Sequence, residues 1–443
     1  MKKSVKLSFY ISFAVFLAVC VLFYYMDLKT LTVWTVNIWD TFLETGTFRE
    51  YYAYSARNLH DLPHAMVGSD ILIYMPWAIW NLPIWALQRF AGLAITEHWW
   101  MILYSKAFIL GVFGLILSFT GRVAREICDD KNACNKTVYM CATSAFALWG
   151  IAYGGQNDVL VILPFLYAVY MLMRGRKTSF LIYAGISVML KPYYLLAIIP
   201  LILLKEKKLW KAAGQIIFTV LFYFLQKLIF IGAPMYAESM SYGPAEGLFA
   251  LFTASELPVS VVPVSLFAIA YGVVCVSAYL NDGSKNEKES ILFYIIVPFL
   301  VMFGFCGFDF YRTVYLVPFL YLFMLAKKDR GYINGIIECG IAGILLFYFL
   351  TCEELFFSGR YLFDGIEGAL PFCLWYKDAV GIYAYNILFA VFLVFIGGFI
   401  YVNRPGYQTE NKVLLLKEES WVYWIRTLIN GVALICGIAG VIL

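Results

Sequence analysis

The chain has 443 residues, of which 62% are hydrophobic and 14% charged, with a formal net charge of +4; its mean hydropathy is +0.77. A soluble domain is about half apolar and about a quarter charged. The composition therefore excludes a soluble enzyme on a single anchor and predicts an all-α polytopic membrane protein. The bilayer is the expected partner, and no nucleic-acid partner is expected.

The first apolar run, 7–26, follows Lys2, Lys3 and Lys6. It is about as long as the roughly 20 residues a membrane span needs, and no small-x-small cleavage site closes it, so it reads as a retained helix. Further spans are predicted over 99–118, 137–153, 157–173, 179–191, 193–204, 210–230, 258–280, 290–307, 312–326, 332–352, 379–402 and 421–441. That is a bundle of about 11–13 transmembrane helices, forming one integral membrane domain over 1–443. Residues 27–98 make a long first external segment. A full span at 71–90 would invert every later loop, so that stretch reads as re-entrant or interfacial, which suits its Trp and Tyr content. Lys191-Pro192 should break the chain between two short spans, because proline lacks a donor and clashes with the preceding turn.

Basic residues gather in particular connections: Arg122 to Lys136, Arg174 to Lys177, Lys205 to Lys211, and Lys327 to Arg330. The other connections, Asp27 to Asp70, Glu238 to Glu256 and Glu353 to Asp378, are acidic and aromatic. Positive loops face the cytoplasm, which predicts an inside N-terminus and an outside C-terminus. The ten cysteines show no CxxC or other metal-ligand spacing, and most read as small hydrophobes within spans. Cys352 and Cys373 flank one external loop, where an oxidising compartment would permit a disulfide. His60 and His64 are four apart, but Pro63 between them argues against a helical metal site. No cofactor is indicated, and no metal site is assigned.

Four polar groups fall at the outer ends of helices in this topology. Asp40 and Glu44 are four apart and share a face if their segment is helical. Gly155-Gln156-Asn157-Asp158 lies between two spans, Lys191 stands at the proline break, and Asp309 and Arg312 lie in another connection. Each also has a structural role open to it. Asp158 suits a helix cap, Lys191 can reach the interface with its ammonium, and Arg312 can pair with Asp309.

These residues resemble the middle of the GT-C membrane glycosyltransferases. The resemblance rests on Gly155-Gln156-Asn157-Asp158, then a span, the basic turn Arg174-Gly175-Arg176-Lys177, and a span ending Leu190-Lys191-Pro192-Tyr193. It is closest to glycosyltransferase family 87, the polyprenyl-phosphate-mannose-dependent mannosyltransferases, and covers roughly 1–210, including the external segment 27–98; residues 211–443 would add further helices. The family carries an essential Asp in the first external loop, a location that Asp40 matches. Some members have a His in a later external loop, whereas this chain has none after His98.

The resemblance implies transfer of a hexose, mannose-like, from a polyprenyl-phosphate sugar to a glycan or glycolipid acceptor, with inversion. The donor phosphate needs cations, for which Lys191 and Arg312 are suited. The acceptor hydroxyl needs a base, expected to be Asp40, with Glu44, Gln156, Asn157 and Asp158 binding substrate. The rivals are a lipid-linked oligosaccharide flippase or transporter, a polysaccharide polymerase or ligase, and a purely structural subunit. The absence of an internal repeat and the scarcity of mid-span charges weigh against a transporter.

Overall fold

The computed structural model describes residues 3–25, 27–58, 67–241, 248, 250–253, 256–257, 264–282, 286–306, 310–352, 359–360, 381–407 and 420–442. His60, His64, Asp309 and Cys373 lie outside the described residues, and with them the metal, ion-pair and disulfide readings made for them. The described chain is helical apart from two antiparallel pairs of two-residue strands. Among the described residues, seven helices are long and apolar enough to cross a membrane, and six shorter apolar helices accompany them. Together these make a multi-pass, all-α membrane protein.

The first helix, α1 (Lys3–Leu22), ends in the two-residue strand Phe23–Tyr24, which pairs with Gly359–Arg360. The segment 27–98 then opens with α2 (Asp27–Thr45). Leu28, Leu31, Thr32, Val33, Thr35, Val36, Asn37, Ile38, Asp40 and Thr41 are buried along it, so its middle is enclosed on nearly every side, and its last turn, from Phe42, is exposed. Three short helices follow: α3 (Tyr51–Arg57), α4 (Ile71–Trp80) and α5 (Leu82–Ala91). Ten residues of helix rise only about 15 Å, but α4 runs into α5 through Asn81, whose N–H donates to the Trp77 carbonyl and whose carbonyl accepts from Trp85 N–H, at 2.9 Å each. Trp77 of α4 is fully buried and donates its indole N–H to the Ser105 carbonyl at 3.0 Å. That bond ties the segment to α6 (Trp99–Ile127).

The predicted span 137–153 is not one helix. α7 (Lys131–Ala142) stops at Thr143, and α8 (Ala145–Ala147) restarts the chain and runs into a π-helical turn over Leu148–Tyr153. Ser144 Oγ caps the restart by accepting from Ala147 N–H at 3.0 Å, and the released Thr143 carbonyl accepts from Asn430 Nδ2 at 2.9 Å. A break at this depth persists because protein groups satisfy the freed backbone. The chain continues through α9 (Asp158–Met173) and α10 (Lys177–Leu190). A short 3₁₀ turn over Pro192–Tyr194 precedes α11 (Leu195–Lys205), so the proline break falls where the sequence placed it.

The remaining helices are α12 (Leu209–Phe230), α13 (Tyr236–Ser241), α14 (Leu266–Leu280), α15 (Glu287–Phe305), α16 (Val317–Ala326), α17 (Gly331–Cys352), α18 (Gly381–Asn403) and α19 (Ser420–Ile442). The span predicted from 258 begins eight residues later, at Leu266. α15 is 83% buried along its apolar window and α12 only 17%, so α15 is central and α12 faces the surroundings. α16 packs on α6 and α7, and α15 on α11; the later helices therefore share a core with the earlier ones. α1 and α19 run parallel: Phe9 meets the Tyr423 ring at 5.4 Å, and Ser12 bonds Thr427 at 2.9 Å.

The basic connections meet at one end of the bundle. Lys328 reaches Cys128, Lys288 bonds the Glu126 carbonyl, Lys205 pairs with Glu287, and Lys207 donates to the carbonyls of Tyr279 and Asn281 at 2.7 Å each. The far end of the bundle carries the remaining polar residues of interest.

Candidate functional site

Three irregular turns build that far end. The π-turn 148–153 lies against a 3₁₀ helix, Phe310–Leu316. Contact is so close that only glycine fits at two positions. A Cβ on Gly150 would sit 2.8 Å from Val314 Cβ and 2.9 Å from the Tyr311 carbonyl, and one on Gly154 would meet Tyr311 Cβ at 3.0 Å. Gly155 follows with φ of +57°, left-handed backbone that side chains resist. π-turns of this kind occur often at functional sites. The chain leaving Gly155 therefore turns sharply and presents Gln156, Asn157 and Asp158, all buried, to the neighbouring elements.

Gln156 Nε2 donates to Asp27 Oδ2 at 3.0 Å. Asp27 opens α2, where the helix dipole favours a negative charge, and it is exposed. Asp158 does not cap its helix: Asn157 holds the N-cap position and makes no side-chain cap bond. The Asp158 carboxylate instead pairs with Lys191 Nζ at 2.6 Å and accepts from the Tyr315 hydroxyl. Lys191 is therefore a buried partner of Asp158, not an ammonium at the interface. The Lys191-Pro192 break swings that cation across to α9. Arg312 stacks over the Tyr193 ring at 5.0 Å, and Tyr193 lies 6.4 Å from Tyr315. Tyr25, two residues before Asp27, touches Phe310 at 5.0 Å and Tyr311 at 6.0 Å. Gln156, Asn157, Asp158, Lys191 and Arg312 are thus brought together, and Asp27 joins them.

Asp40 and Glu44 stand elsewhere. They do share a face of α2, and that face packs on α5: Asp40 accepts from Trp85 Nε1 at 2.8 Å, and Glu44 pairs with Arg89 at 3.3 Å. Trp85 and Arg89 are also four apart, so the two helices match in register. Asp40 lies thirteen residues beyond Asp27 on one helix, roughly 20 Å away, and is buried. Beside this pair the Tyr54 hydroxyl is pushed up to about 12, by burial first and then by Asp40 and Glu44.

The sequence reading passed over further polar residues. Lys106, fully buried, donates to the carbonyls of Cys20 and Phe23 at 3.2 and 2.7 Å. It thereby satisfies the orphan end of α1 with a cation where the dipole favours one. A lysine eight residues into an apolar helix was itself a legible signal. Asp70 precedes α4 and binds Tyr236 at 2.8 Å, Gln226 at 3.2 Å and Lys227 at 3.3 Å. Gln226 also bonds the Met189 carbonyl, two residues before Lys191. Burial raises the Asp70 carboxyl, against the pull of Lys227 and Tyr236. The buried Tyr74 hydroxyl of α4 is held far above its usual range, by burial first; the Ser69 hydrogen bond opposes this, while the carboxylates of Asp70, Asp158 and Asp27 add to it. All three acids therefore lie within electrostatic reach of one hydroxyl.

Among the described residues, no group of three His, Cys, Asp or Glu could hold a metal ion. The arrangement offers an accessible carboxylate at Asp27, two cations on separate elements, and aromatic walls. Comparison with known proteins finds no matching family model, no matching curated protein and no matching solved structure.

Proposed function

We propose that the chain is a GT-C-type, polyprenyl-phosphate-sugar-dependent hexosyltransferase of the cell envelope, with residues 1–210 as its catalytic module. It would move a mannose-like hexose from the lipid phosphate to a lipid-linked or cell-envelope glycan. The observation that carries this reading is the meeting of Asp27, Gln156, Asp158, Lys191 and Arg312 at the end of the bundle opposite the basic connections. By the positive-inside rule that end is extracytoplasmic, in a plasma membrane where lipid-linked sugars are presented.

Glycosyl transfer from a lipid phosphate needs a base for the acceptor hydroxyl and cations for the leaving phosphate. Lys191 has three donors, one of which goes to Asp158. The others suit a phosphate oxygen, as does the half-buried guanidinium of Arg312. Asp158 and Tyr315 hold the ammonium in place. The base is assigned to Asp27 in place of Asp40: Asp27 is exposed at the turn that carries Gln156, whereas Asp40 is buried against Trp85. The acceptor O–H would lose its proton to Asp27 as its oxygen attacks the anomeric carbon, and the C–O bond to phosphate breaks on the opposite face, giving inversion.

Transfer from a polyprenyl-phosphate hexose in reconstituted vesicles tests this assignment. Asp27→Asn should lower the rate by at least about 100-fold, the usual order for a lost general base, with the protein still folded. Asp40→Asn should keep most of the rate. The reverse ranking would return the base to Asp40. A second observation favours a transporter: Glu338 and Arg426 form a buried pair joined by the Tyr321 hydroxyl at 2.6 Å. Wild-type protein that moves a lipid-linked oligosaccharide across vesicles without transferring sugar would decide for it.

A further inference from the structure

A groove of about 420 Å³ lies between α1, α6 and α7, far from the candidate site, and is lined by Lys6, Phe9, Tyr10, Phe13, Leu117, Val138, Tyr139, Ala142 and Thr143. Its shape follows from the helices that form it. Lys6, Tyr10 and Phe13 stand at i, i+4 and i+7 on α1 and so present one stripe. Gly121 lets α6 and α7 close behind the groove, since a Cβ there would meet Val138 at 3.3 Å. The deep residues are apolar apart from Thr143, whose hydroxyl donates to the Tyr139 carbonyl at 2.7 Å, and Tyr10, Phe13 and Tyr139 are exposed along the rim.

The groove's depth is that of one leaflet. Lys6 belongs to the first turns of α1, at the end where the basic connections gather. Leu117 lies ten residues before the end of α6 at Ile127, roughly 15 Å into the bundle, and a bilayer's hydrocarbon core is roughly 30 Å thick. An apolar slot of half-bilayer depth fits an acyl chain that enters from that leaflet. The charge at its mouth selects the headgroup. Lys6 is exposed, and the described residues that line the groove include no acid, so a phosphate faces a cation with no carboxylate among them to repel it.

We infer that this groove holds one phospholipid with an anionic headgroup, its phosphate on Lys6 and one acyl chain along Phe9, Leu117, Val138 and Ala142. The site is independent of the transferase reading. A lysine at an anionic membrane surface is worth about 1 kcal/mol, which converts to a roughly five-fold preference over a zwitterionic lipid.

Native mass spectrometry of the purified full chain tests this, with phosphatidylglycerol and phosphatidylcholine of identical acyl chains as probes. Wild-type protein should retain one phosphatidylglycerol about five-fold more tightly than phosphatidylcholine. Lys6→Gln should abolish the preference while still binding both. Ala142→Phe, which fills the groove, should lose the tightly held lipid of either kind. Lys6 is exposed, so its substitution leaves folding intact and answers even if Ala142→Phe fails to fold. Equal retention of the two lipids by wild-type protein, or an undiminished preference in Lys6→Gln, overturns the inference.

Discussion

The buried pair of Lys191 and Asp158 is where stability and function can be separated most sharply. Their 2.6 Å contact corresponds to a Coulomb attraction of about 6 kcal/mol at an effective dielectric of 20, before desolvation is subtracted. Lys191→Met keeps much of the stem but strands Asp158, whose side chain is only 1% exposed and would keep Tyr315 as a donor. Breaking one partner of such a pair costs about 3–5 kcal/mol, whereas removing both charges together is close to neutral. Lys191→Met should therefore melt well below wild type in a detergent thermal scan. The double variant Lys191→Met with Asp158→Asn should recover to within about 1 kcal/mol. Transfer should behave differently. If Lys191 binds the donor phosphate, the double variant lacks that charged hydrogen bond, worth about 1.5–3 kcal/mol, and should stay slow by roughly 10- to 100-fold. Asp158→Asn alone keeps the cation and should leave donor KM within a few-fold while lowering the melting point. A double variant that regains both stability and transfer would refute the phosphate role and leave the pair purely structural.

Two further outcomes follow from the same region. Gly150→Leu inserts atoms where a Cβ alone already meets Val314 at 2.8 Å; it should cost at least the roughly 1–3 kcal/mol typical of overpacking, read as a lowered melting point, and an unchanged midpoint would mean the two turns do not bear on each other. Asp70 has a folded-state pKa raised by burial above its ordinary 3.8, so its contribution to stability is present below the unfolded pKa and lost as pH rises through the folded value. Wild-type protein should lose stability over that window relative to Asp70→Asn, and parallel melting curves for the two across that range would show that Lys227 fully offsets the burial.

Much of the fold was legible in the sequence because its signals are local. Apolar length announced the helices, proline after Lys191 announced the break between α10 and α11, and the lysine and arginine clusters marked one end of the bundle. The four-residue spacing of Asp40 and Glu44 also held, since both lie on the one face of α2 that meets α5. What that face does could not be read locally, because Trp85 and Arg89 each lie 45 residues away in sequence. The same holds for the site. Asp27 meets Gln156 across 129 residues, and Asp158 meets Tyr315 across 157; no periodicity encodes such pairs. An acid opening a helix just after the first span was visible, yet only tertiary packing set it against Gln156 and buried Asp40 away from it. The break after α7 was hidden for a related reason: 137–153 is apolar but for Thr137, Thr143 and Ser144, and it is Asn430 of the last helix, donating to the Thr143 carbonyl, that lets the chain come apart there. Sequence determines which segments leave water. Where their few polar groups find one another is decided only when the helices pack, because a buried charge or a freed carbonyl must be satisfied by whatever the fold brings alongside.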